Sequence, residues 1–175
     1  MTGPDPFVVL GLPRRFALEP AELDRRWRAC AREVHPDRLA RATPADRARA
    51  EAAATQVNDA RRLLAGWTER ALVLVSATAA DLPHLADPAF LAAQLDAREA
   101  LAALRGVGDA AGEERFAAGA RAALAALERE VAGLFGAQDA GGAAVDRDAV
   151  LDRLARARFH QALLAEAGRG STGSP

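Results

Sequence analysis

Between Glu19 and His35 the sequence EPAELDRRWRACAREVH sets Leu23, Trp27, Cys30, Ala31 and Val34 at the spacing of one helix face. Pro20 suits a first helical turn, and Glu22 is an acid near the positive end of the helix dipole. Advancing by roughly 100° per residue, Arg25, Arg28 and Arg32 fall together on the opposite face. Pro36 closes the helix, because its ring disfavours helical geometry at the residue before it. The same period recurs along the chain. No long stretch alternates apolar and polar residues, and β-branched residues are few, so strands are not expected.

The other segments follow. FVVLGLP (7–13) is one or two helical turns, stopped by Gly11 and Pro13. TPAD (43–46) opens a second long helix, with Thr43 as cap and Asp46 at the capping-box position. Ala53, Val57, Ala60, Leu64 and Trp67 share its inner face. Asp87-Pro88 starts a helix running to about Arg105, and GVGDAAG (106–112) breaks the chain. Phe116, Ala120, Leu124, Leu127, Val131 and Leu134 mark the next helix. After a glycine-rich loop at 136–146, Val150, Leu154, Ala157 and Leu164 mark the last. The expected fold is all-α: an N-terminal helical hairpin, then a C-terminal three-helix bundle.

Composition narrows the chemistry. A chain of 175 residues with a single cysteine, Cys30, has no internal disulfide framework and no cysteine zinc site. Cys30 falls on the apolar helix face and is expected to be a core thiol. The first 75 residues hold 13 Arg against 10 acids, the remainder 10 against 14. So mild an asymmetry does not point to nucleic acid. No signal peptide or membrane-spanning run is visible, and a cytoplasmic protein without membrane association is expected. His35, His84 and His160 are not spaced to pair on a helix, and no phosphate-binding loop, HExxH or GxSxG occurs. No catalytic residue, metal ligand or cofactor is therefore expected, and the chain is not expected to be an enzyme. A small hydrolase or metal protein using His35 and Asp37 is the opposing reading; the missing second ligand cluster argues against it.

The outer faces of two C-terminal helices point elsewhere. With Phe90, Ala97, Leu101 and Leu104 as the inner stripe, Leu91, Ala92, Leu95, Asp96 and Glu99 lie on the far side. Phe159 and Leu163 are likewise expected to point away from the stripe of the last helix. Apolar residues rimmed by acids suggest a protein-binding surface. The plainer alternative is that both helices bury two sides.

His35-Pro36-Asp37, set between a helix with a basic outer face and a second long helix, resembles the motif of a J-domain. The rest resembles the HscB co-chaperones in particular: FVVLGLP their short first helix, VNDARRLLAGWTERALVLV (57–75) the end of their J-domain, and DPAFLAAQLDAREAL (87–101) the opening of their C-terminal bundle. Val34 and Arg61 stand where the family usually carries aromatics, Trp67 where a proline is common, and Ala92 where a methionine is expected. The resemblance implies a J-domain over 1–75 and a client-binding domain over 89–168; turn chemistry makes 76–88 a connector, and composition makes 169–175 an expected disordered tail. It implies that His35, Pro36 and Asp37, helped by Arg25, Arg28 and Arg32, engage a 70-kDa heat-shock chaperone of the HscA or DnaK type. It further implies that Leu91, Ala92, Leu95, Asp96, Glu99 and Phe159 bind the iron–sulfur scaffold protein IscU. A J-domain protein for a different client is the nearest alternative.

Overall fold

A computed structural model describes residues 3–34, 43–85, 87–139 and 144–170. Among them every regular element is helical, as the periodicity predicts. The chain divides into two compact units, one built on α1 (Pro6–Leu10), α2 (Pro20–Glu33), α3 (Pro44–Ala65) and α4 (Trp67–Leu74), the other on α5 (Pro88–Gly106), α6 (Ala110–Asp139) and α7 (Arg147–Gly170).

In the first unit Asp5 caps α1 by accepting from the Phe7 N–H at 2.9 Å, and Gly11 ends it in the left-handed region at φ 61°. Phe7, Leu10, Leu12, Leu23, Val57, Ala60, Leu64 and Val73 form the core. Trp27, Cys30, Ala31 and Val34 pack against it half-buried, so the α2 face read from spacing is the inner one. The Cys30 thiol donates weakly to the Val9 carbonyl at 3.8 Å. Thr43 and Asp46 make a reciprocal capping box on α3. One expectation needs correcting. Trp67 does not continue the inner face of α3, because Gly66 adopts an extended conformation (φ −78°, ψ 129°) and α4 starts afresh after it. Helix α4 is held from two sides. The buried Arg70 donates to the Leu64 carbonyl at 2.6 Å and lies over the Phe16 ring at 5.1 Å. Arg14 donates to the Val73 carbonyl at 2.8 Å and pairs with Asp5.

The second unit is the expected three-helix bundle. Leu101, Val131, Val150 and Ala157 are fully enclosed, with Leu127, Phe135, Leu151 and Leu154 around them. The break between α5 and α6 is only residues 107–109, with Gly108 at φ 69° making the turn. Arg105 joins the end of α5 to its neighbours: it pairs with Glu113 at 3.4 Å and donates to the carbonyls of Glu166 and Ala167 in the last turns of α7. Two boundaries shift outward. Helix α6 runs to Asp139, inside the stretch read as loop, and α7 runs to Gly170, past the expected start of the tail. Alanine, arginine and glutamate favour helix strongly enough to carry both helices through isolated glycines.

Candidate functional site

Arg25, Arg28 and Arg32 all lie exposed on one face of α2. With Ala21 and Asp24 they border an open depression of about 440 Å³. Two acids sit among them, but each is drawn towards an arginine from elsewhere. Glu22 is 3.3 Å from Arg15 and 3.8 Å from Arg25. Asp24 accepts from Arg61 of α3 through Nε at 3.1 Å and Nη2 at 3.0 Å. The Arg61 guanidinium also lies over the Trp27 ring at 4.5 Å, and the Trp27 indole N–H donates to Asn58 at 3.0 Å. This cross-helix cluster fixes which side of α2 faces outward. Among the described residues no acid pairs with Arg28 or Arg32. His35, Pro36 and Asp37 lie outside the described residues.

Sequence reasoning missed Asp24, Asn58 and Arg61. The signal was present, since Trp27 borders the α2 core face and Arg61 follows the buried Ala60. Only the pairing of the two helices shows that these positions meet.

In the second unit Leu91 and Leu95 are 49% and 59% exposed, and Ala92, Asp96 and Glu99 are exposed beside them. Two leucines one turn apart, left in water on a helix with a filled inner face, forgo roughly 1 kcal/mol each of burial. Phe159 is a correction. It was expected to point outward with Leu163, yet the two are only 9% and 3% exposed. Helix α7 meets α5 on one side and α6 on another, so it buries two faces. Phe159 packs edge-to-face on Phe90 of α5, with ring centroids 5.7 Å apart, while the Arg153–Glu130 pair at 3.3 Å joins α7 to α6. Arg98 and Arg156 cover these rings, Arg98 5.2 Å from Phe159 and Arg156 4.8 Å from Phe90. Asp152 holds Arg156 at 3.0 Å, and this hydrogen bond raises the guanidinium pKa further. Phe159 thus supports the α5 face from beneath.

His160 adjoins Phe159, and its Nδ1 is buried with no hydrogen-bond partner among the described residues. Burial holds its pKa below the ordinary value of 6.5. Above that value the ring is neutral in folded and unfolded chains alike. Below it the unfolded chain takes up the proton first, so the second unit loses stability as pH falls from 6.5 towards the lowered folded value. Urea midpoints at about pH 7.5 and pH 5.5, both above the carboxylate range, will show this loss, and His160→Leu will reduce it. An equal loss in the variant would exclude His160 as the source.

A hairpin of two long helices completed by α1 and α4, with a separate three-helix bundle, defines the class: a J-domain followed by a helical bundle. Residues 86–168 match the family model described as the HSCB C-terminal oligomerisation domain. A co-chaperone protein HscB homolog from Bordetella avium is 39% identical over 128 residues, covering 71% of this chain and 70% of the relative. The homolog from Bordetella pertussis is 43% identical over 105 residues, which span 58% of this chain and 62% of the relative's length. The structure of chaperone HscB from Vibrio cholerae superposes with a TM-score of 0.77 at 28% identity, over 96% of this chain and 98% of that one. The chain belongs to the HscB co-chaperone family.

Proposed function

We propose that this chain engages a 70-kDa heat-shock chaperone of the HscA or DnaK type, accelerates its ATP hydrolysis, and delivers to it an IscU-type iron–sulfur scaffold. The observation that carries the first half is the α2 face: Arg28 and Arg32 stand exposed, without acid partners among the described residues, on the helix that precedes His35-Pro36-Asp37 in the sequence. Such a face steers towards an acidic surface. Pro36 stiffens the loop and so reduces the entropy lost on docking. Asp37 suits a bidentate bond from a partner arginine. Binding that favours the hydrolysis-competent state of the chaperone shifts its population, so no catalytic group is required of this chain. Leu91, Ala92, Leu95, Asp96 and Glu99 on α5 support the second half, as an apolar centre with an acidic rim. The iron–sulfur cluster would belong to the client. The proposed place of action is the cytoplasm.

The test is a titration of chaperone ATPase stimulation at low salt. Arg28→Ala should raise the half-saturating concentration about threefold without changing the plateau, and added salt should close the gap. Superimposable curves at low salt would remove the arginine face from the account.

A further inference from the structure

Asp24 and Arg28 stand one helical turn apart on α2, in the order in which an acid and a base ordinarily pair. They also border the same depression. Yet the Asp24 carboxylate is turned across to α3, where Arg61 donates to it twice, at 3.1 Å and 3.0 Å. Arg61 can hold it there because its own guanidinium is fixed. The plane lies over Trp27 at 4.5 Å, and Trp27 is in turn fixed by its hydrogen bond to Asn58. A cation seated on an indole gives up less side-chain freedom on pairing than a freely moving one. The side chains of Arg61 and Asp24 are about two-fifths exposed, at 42% and 40%, so the bond is partly shielded from solvent.

We propose that Arg61 is a positioning residue for chaperone recognition: by engaging Asp24 from α3 it keeps that carboxylate off Arg28 and leaves the central arginine of the α2 face free. This inference rests on the reading of that face as the chaperone-binding surface. Glu22 fits the same arrangement, since Arg15 also draws it from outside α2. An arginine on α3 therefore acts on the charge of a different helix.

The experiment measures half-saturation of ATPase stimulation at low salt, with purified DnaK-type chaperone as the probe. Arg61→Leu keeps an apolar cover on Trp27 and removes the charge. Asp24 then becomes available to Arg28, and half-saturation should rise about twofold, within the range of an exposed one-turn pair. Adding Asp24→Ala to Arg61→Leu should restore the wild-type value, because no acid remains to quench Arg28. A merely structural loss at the α2–α3 contact would not be repaired by removing a second member of the cluster. Arg61→Lys keeps the charge but loses the twofold donation and the seating on Trp27, so its half-saturation should fall between wild type and Arg61→Leu. Asp24→Ala alone, in a chain that keeps Arg61, should leave half-saturation unchanged. A double variant no better than Arg61→Leu would overturn the inference, as would a several-fold tightening by Asp24→Ala alone. If Arg28→Ala itself leaves the curve unmoved, the failure lies with the reading of the arginine face.

Discussion

A His35→Gln chain will leave the ATPase of the partner chaperone at its basal rate in single-turnover assays, where the unaltered chain accelerates it. Glutamine keeps a hydrogen-bond donor of similar reach but loses the ring, and with it the rigid donor geometry next to Pro36 and Asp37. Its melting temperature should stay close to that of the unaltered chain, which makes the loss one of recognition. Stimulation that survives undiminished would show that the tripeptide is an ordinary helix stop.

The second large effect concerns Leu91→Ala combined with Leu95→Ala. Each leucine is about half exposed in the free chain, so docking has roughly 1 kcal/mol of further burial to gain at each. Losing both should weaken binding of an IscU-type scaffold by about thirtyfold, measured by calorimetry. Chaperone stimulation without client should be unchanged, and so should the thermal transition of the second unit, because neither leucine belongs to the enclosed core. A variant that no longer folds would make these leucines part of that core. One that folds and binds the scaffold normally, while stimulating the chaperone, would favour a different client.

Much of this was legible in the sequence for a simple reason. Helical period, proline and capping residues are local signals, and they placed α2, α3 and α5 within a few residues of their observed ends. What depends on which helix faces which was not legible. Phe159 and Leu163 lie off the main stripe of α7, and only the packing of that helix against both α5 and α6 buries them. Trp67 kept the α3 period, but one extended residue, Gly66, restarted the helix at that point. Arg61 looked like a lost aromatic. In the structure it covers the Trp27 ring and binds Asp24, a role visible only once α2 and α3 are side by side. The outward faces are a different case. The exposure of Leu91 and Leu95 follows from the period of α5 alone, without knowledge of which helix faces which.

Whether one chain joins a client to a chaperone is measured directly by the chaperone's steady-state ATPase with this chain alone, an IscU-type scaffold alone, and both together. Delivery predicts a rate with both that exceeds the sum of the separate increments, and a Leu91→Ala, Leu95→Ala chain that returns the mixture to simple addition. Additive rates with the unaltered chain would contradict the account.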